Sequence, residues 1–124
     1  MNKVFNWKIS LISITSFGLI TFVVNLNGSL LLTFLAAFKE MIFRFFWGGF
    51  VGRLLQRFSD EYKGVKAYVM AAVIPGIFSF IITYELHYFT YTPYPLKTVI
   101  VNTILTSLSG MGSIFLFRNN LMKV

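Results

Sequence analysis

The sequence predicts an all-α integral membrane protein with four transmembrane helices and no soluble domain. The 124-residue chain is 56% hydrophobic and 12% charged, with a mean hydropathy of +0.74, whereas soluble proteins carry roughly 25% charged residues. Four apolar segments, each near the ~20 residues that cross a bilayer as a helix, are separated by short polar stretches. We therefore expect one domain over residues 1–124, with spans at about 9–26, 30–55, 66–84 and 96–117.

The first two spans are bounded by polar residues. Span one follows Lys3 and Lys8 and ends in the polar turn 25–29, without the small-residue cleavage pattern of a signal peptide. Span two ends where the polar run 56–64 begins. Both segments are therefore expected to be retained as membrane helices.

Prolines mark the last two spans. Pro75 lies at the centre of span three, where its missing backbone N–H is expected to kink the helix. Pro93 and Pro95 are expected to keep the aromatic segment 85–95 from being helical. Span four follows this segment.

The distribution of basic residues predicts the orientation of the four spans. Lysine and arginine collect in the cytoplasmic segments of membrane proteins. The opposite side holds only Lys97. Eight basic residues flank the spans on the predicted cytoplasmic side: Lys3, Lys8, Arg53, Arg57, Lys63, Lys66, Arg118 and Lys123. Both termini are therefore expected in the cytoplasm, in a multi-pass protein of the bacterial inner (plasma) membrane.

Span two contains one helical row of small and polar residues. Glu40, Arg44, Gly48 and Gly52 follow one another at intervals of four, which places them on one side of a helix. Glycines at this spacing permit close helix–helix approach in a membrane, and Glu40 and Arg44 have the favourable order for an ion pair. Because a lone charge in hydrocarbon costs at least ~2.5–3.5 kcal/mol, we expect the pair to be buried in the bundle or in a wet cavity. It either fixes the register of the helix against other spans or a partner, or it forms part of an ion or proton pathway in which Glu40 titrates.

Lys39 completes the predicted intramembrane charged group of Lys39, Glu40 and Arg44. It points about 100° away from Glu40 on a helix, so the two side chains are not expected to pair. Three alternatives stay open. Either the Lys39 side chain snorkels outward, or it contacts an acidic residue of another subunit, or its position indicates that the span begins later than Leu30.

Small residues predict where helices pack together. Gly76 lies on a small face of span three, and Ser109 and Ser113 share a polar stripe along span four. We expect these three residues, like Gly48 and Gly52, to line helix–helix contacts.

The single histidine lies in the predicted outer loop. His87 is two residues from Glu85, and a histidine near an acid is a candidate for pH sensing or proton transfer. The alternative is an aromatic boundary, because tyrosines such as Tyr84 and Tyr88 collect at the membrane–water interface.

The residue inventory argues against an enzyme, a metal site or a cofactor. The chain has four carboxylates, one histidine and no cysteine, and we find no glycine-rich phosphate loop. The net charge of +7 is attributed to orientation signals and contacts with anionic lipid, not to nucleic-acid binding. The lipid bilayer is thus the first predicted partner.

Three functional hypotheses follow. The first is a non-enzymatic accessory or assembly subunit that docks on a larger membrane complex through the small and charged face of span two. The second is a self-associating ion or proton channel or transporter that uses Glu40 and Arg44, and a homo-oligomer is expected for it. The third is a membrane-permeabilising, holin-like protein.

Overall fold

A computed structural model describes residues 4–90 and 92–124. Four helices follow in order, and these residues contain no strand, so the all-α fold class is confirmed. The third helix extends through residues 85–88, which the sequence had placed in a loop, and that prediction is wrong. The helices are α1 (Trp7–Val24), α2 (Leu30–Glu61), α3 (Val65–Tyr88) and α4 (Pro95–Arg118).

Three of the described helices, α1, α3 and α4, are long and apolar enough to cross a membrane. Helix α2 is not among them, because Lys39, Glu40 and Arg44 interrupt its apolar residues. The composition of the helices thus supports three spans directly, and α2 has to be judged from where its charges lie.

The bundle consists of two antiparallel hairpins, α1–α2 and α3–α4, in which the closest packing occurs. In the first hairpin the Ser10 hydroxyl donates to the Phe45 carbonyl at 2.6 Å, and the Thr33 hydroxyl donates to the Asn25 carbonyl at 2.7 Å. We call the end formed by residues 25–29, 89–90 and 92–94 the hairpin-turn end. Asn25 ties the two hairpins there, since its amide nitrogen donates to the Thr98 hydroxyl at 2.8 Å.

Helix α3 continues through Pro75, and α4 fills the gap that the proline leaves. A proline at position 75 removes the N–H that would bond to the Ala71 carbonyl. Gly110 of α4 lies so close to that carbonyl that a Cβ added to it would overlap the oxygen. One turn away, the Ser107 hydroxyl donates to the Ala72 carbonyl at 3.0 Å. The proline is therefore part of the α3–α4 contact.

The two ends of the bundle have different interiors. The end opposite the hairpin turns contains the apolar core, together with buried Asn6 and Gln56, whose side chains hydrogen-bond at 3.3 Å. Asn6 caps α1 there by accepting from the Ile9 N–H, and its amide nitrogen donates to the Met122 carbonyl at 3.0 Å. Toward the hairpin-turn end the interior becomes polar. The apolar core comprises Leu55, Phe58, Ala67, Ala71, Ile114 and Phe117.

Candidate functional site: a buried charged cluster

The polar interior centres on the carboxylate of Glu40. One oxygen, Oε1, accepts from Arg44 Nε at 2.7 Å, and the other, Oε2, lies 2.7 Å from His87 Nε2. The side chains of Glu40 and His87 are 0% exposed and that of Arg44 is 2% exposed. Three ionisable groups thus share one buried position in the bundle, where each depends on the others for charge or hydrogen-bond partners.

Helix geometry explains how these groups meet. Glu40 and Arg44 are one turn apart on α2, so their side chains meet on the same face. His87 lies in the last turn of α3, and the packing of α3 against α2 brings its ring to the free side of the carboxylate. The row Ser79, Thr83 and His87 runs along α3 at intervals of four, and all three residues are buried.

The cluster continues into α4 through hydroxyl groups. Arg44 Nη2 donates to Ser79 Oγ at 3.0 Å, and Ser79 Oγ lies 3.1 Å from Thr106 Oγ1. The Thr106 hydroxyl in turn donates to the Asn102 carbonyl at 2.7 Å. The guanidinium also stacks 3.8 Å from the centre of the Phe17 ring of α1. Arg44 is therefore in contact with all three other helices, directly or through one hydroxyl.

The outward side of the cluster is a short hydrogen-bonded path to the segment after α3. His87 Nδ1 lies 2.7 Å from Thr92 Oγ1. The Lys39 ammonium donates to the Thr90 carbonyl at 2.9 Å and to the Thr92 hydroxyl at 3.2 Å. The partners of Lys39 are thus hydroxyl and carbonyl groups of the same chain at the hairpin-turn end, and the three alternatives for its place relative to lipid or another subunit stay open.

The expected association of Glu85 with His87 does not form. The two residues are separated by two positions on a helix, about 200° apart, so their side chains diverge. Glu85 is exposed and His87 is fully buried against Glu40. His87 is accordingly a member of the interior cluster and not a residue of an outer loop.

Gly48 and Gly52 lie at a helix contact within the chain. A Cβ on Gly48 would come within 2.7 Å of the Ser13 side chain, and one on Gly52 within 2.7 Å of Ile9. Both neighbours belong to α1. The glycine-containing face of α2, which the sequence predicted to dock a partner, is therefore covered by α1.

The remaining predicted packing residues divide between two environments. Gly76 meets Ser107 of α4 closely, since a Cβ there would lie 2.5 Å from the Ser107 hydroxyl. Ser113 is buried and returns its hydroxyl to the Ser109 carbonyl at 2.8 Å. Ser109 is exposed and lines a groove of about 390 Å³ between α1 and α4. It does not fill a tight helix contact.

The donor set of the cluster suits proton exchange better than metal binding. Among residues 4–90 and 92–124, no group of three His, Cys, Asp or Glu side chains lies together. Glu40 is already paired with the Arg44 cation, while His87 has two ring nitrogens, each of which can donate or accept a hydrogen bond. A cavity of about 40 Å³ lies beside Arg44, lined also by Ser13, Ser109 and Ser113.

Sequence reasoning missed His87 as a partner of Glu40, and a usable signal was present. The row Ser79 and Thr83 on α3, extended by four residues, reaches His87.

Comparisons of the chain with protein-family models, with curated proteins and with solved structures found no match.

Proposed function

We propose that this chain is a small multi-pass membrane transport protein in which Glu40 and His87 form a proton-binding site. The observation that carries the proposal is the position of the Glu40 carboxylate, 2.7 Å from both Arg44 and His87 and fully buried. Ionisable groups at such depth are expensive and are typical of ion pathways and proton relays.

The proposal includes α2 as a fourth span. Its 32 residues extend ~48 Å at ~1.5 Å per residue, more than the ~30 Å of a hydrocarbon core. Glu40 and Arg44 face the bundle interior, and the residues exposed around them are apolar: Phe38, Met41, Ile42, Phe45 and Phe46. With four spans and the predicted bias of basic residues, both chain termini lie in the cytoplasm of a bacterial cell.

Transport also accounts for the chemical asymmetry of the interior. A purely structural role for the pair would require only that the charge of Glu40 be neutralised. Arg44 on the same helix already does that. His87 adds a second, titratable partner and connects the carboxylate to Thr92 at the hairpin-turn end. Thr92, His87 and Glu40 thus lie in succession within hydrogen-bond distance, which supports a proton path between the hairpin-turn end and the carboxylate.

Proton flux into liposomes tests this function. The purified full-length chain is reconstituted with a pH-sensitive dye inside, and a potassium gradient with valinomycin supplies the driving potential. We expect flux with the wild type and its loss, to the level of empty liposomes, with Glu40→Gln or His87→Gln.

Glu85→Gln is the matched control, because it removes a carboxylate from the same turn as His87 at an exposed position. It should leave the flux unchanged. Proton-tight liposomes that contain folded wild-type protein, or equal flux from the Glu40→Gln variant, would contradict the proposal.

The second candidate is assembly with other membrane subunits. It is supported by exposed aromatic residues on α2, including Phe34 (55% exposed), Phe38 (60%) and Phe46 (56%), because large apolar patches mark partner or lipid contacts. Native mass spectrometry of gently extracted protein tests it. A stoichiometric larger partner supports an accessory subunit, and a homo-oligomer alone supports the transport proposal.

A further inference from the structure

Lys39 contacts the part of the cluster through which a proton would enter. Its ammonium donates to the Thr90 carbonyl and hydroxyl and to the Thr92 hydroxyl. Thr90 is exposed, whereas Thr92 is 5% exposed. Lys39 therefore lies between solvent and the buried path from Thr92 to Glu40.

The hydrogen bonds of Lys39 bias the direction in which the Thr92 hydroxyl points. An ammonium group has three hydrogens and no lone pair, so the Thr92 oxygen must accept from it. The hydroxyl has one hydrogen of its own to donate. Among the residues that the structure describes, the acceptor recorded for it is His87 Nδ1 at 2.7 Å. The ammonium takes one of the two lone pairs of the Thr92 oxygen, so it favours, without imposing, a hydroxyl that donates to an unprotonated Nδ1.

The opposite side of the ring leads to the same result. Arg44 keeps its charge in proteins and holds Glu40 as a carboxylate, which can only accept hydrogen bonds. Glu40 Oε2 lies 2.7 Å from His87 Nε2, so that nitrogen must carry a hydrogen. Both neighbours of the ring thus favour one tautomer, with the hydrogen on Nε2.

We propose that Lys39 is a positioning residue that biases the Thr92 hydroxyl to donate to His87 Nδ1 and so, together with Glu40, favours the Nε2–H tautomer. The assignment of the tautomer stands on geometry alone, and its consequence for transport rests on the proposed function. When a proton enters, the Thr92 hydrogen moves to Nδ1, the Nε2 hydrogen moves to Glu40 Oε2, and solvent returns a hydrogen to Thr92.

The same contact opposes the proton-loaded state. After the transfer, the Thr92 oxygen accepts from both Lys39 and His87 Nδ1, and its own hydrogen has no acceptor among the described residues. A buried polar hydrogen without a partner is unfavourable. The Lys39 contact therefore favours the state before the transfer, in which Glu40 is a carboxylate.

Nitrogen NMR of the full chain in lipid bilayers tests the inference directly. The chain contains one histidine, so ¹⁵N-labelled histidine reports His87 alone. In the wild type we expect an unprotonated Nδ1 signal and a protonated Nε2 signal. In Lys39→Met, Glu40 still requires a hydrogen on Nε2, so that signal should stay protonated, while part of the Nδ1 signal should shift to the protonated class because no ammonium then biases the Thr92 hydroxyl to donate to the ring.

Three variants separate positioning from general damage. Lys39→Arg retains a donor-only cation and should give the wild-type spectrum, as should Lys97→Met, which removes an exposed lysine at the start of α4. Thr92→Val removes the hydroxyl that contacts His87 Nδ1, so the Nδ1 signal of this variant should shift. This variant tests the inference even if Lys39→Met does not fold.

A wild-type spectrum with protonated Nδ1, or spectra of folded Lys39→Met and Thr92→Val identical to wild type, would overturn the inference. This result is independent of flux. The expected spectra from a protein that gives proton-tight liposomes would keep the positioning role of Lys39 and remove only the proposed transport.

Discussion

Replacing Glu40 by leucine is expected to lower the free energy of unfolding by about 3–5 kcal/mol, because it leaves the Arg44 guanidinium charged and uncompensated in the interior. Arg44 is 2% exposed and its Nε bonds to Glu40 at 2.7 Å. Unfolding in mixed detergent micelles, followed by circular dichroism, measures the loss. Glu40→Gln should lose less, since the amide oxygen still accepts from Arg44.

A double-substitution cycle shows whether the loss comes from the stranded charge. Glu40→Leu combined with Arg44→Met replaces the pair with apolar side chains, and such replacements of buried pairs are often neutral or stabilising. We expect the double variant to regain most of the stability. His87 Nε2 would still lack its acceptor, so the recovery should be incomplete. Equal stabilities for Glu40→Leu and wild type would show that Arg44 does not depend on Glu40 for its charge compensation.

Gly110→Ala is expected to lower the free energy of unfolding by about 1–3 kcal/mol or more, the usual range for overpacking. The added methyl group would overlap the Ala71 carbonyl oxygen, and a backbone atom has no rotamer that relieves the overlap. Helices α3 and α4 must separate where Pro75 has already removed a backbone hydrogen bond. The same detergent unfolding assay measures the change.

Gly112→Ala is the matched control on the same helix. A Cβ at position 112 meets nothing within 4 Å, and alanine favours a helix over glycine by roughly 0.5–1 kcal/mol. This variant should be as stable as the wild type or more stable. A Gly110→Ala protein that behaves like Gly112→Ala would mean that α3 and α4 are not in close contact at this level.

The helices themselves could be predicted, because their apolar composition and turn residues are local properties. The ends of the helices were harder to predict from the sequence. Residues 85–88 contain Glu85 and His87, which suggested solvent, yet α3 continues to Tyr88 and turns His87 inward. A polar residue indicates the end of a helix only when the protein interior offers it no hydrogen-bond partner. Here the partner of His87 is Glu40, which belongs to a different helix.

Only part of the candidate site could be predicted from the sequence. The spacing of Glu40 and Arg44 is a local property of α2 and indicated the pair that the structure contains. The contact with His87 joins residues 47 positions apart in the chain, and no local pattern contains that information. The role of Gly48 and Gly52 as helix-contact residues followed from their size, but which helix they meet depended on the packing of α1 against α2.

The arrangement of the charged pair has a consequence for biosynthesis in the proposed membrane setting. Proteins are made from the amino terminus, and the first hairpin is complete before α3 exists. Glu40 and Arg44 belong to one helix, so each is neutralised as soon as α2 forms. The α1–α2 hairpin can thus enter the bilayer as a unit with its acid already paired. His87 arrives later and adds the second contact only when the α3–α4 hairpin docks, which makes the completed cluster a marker of final assembly.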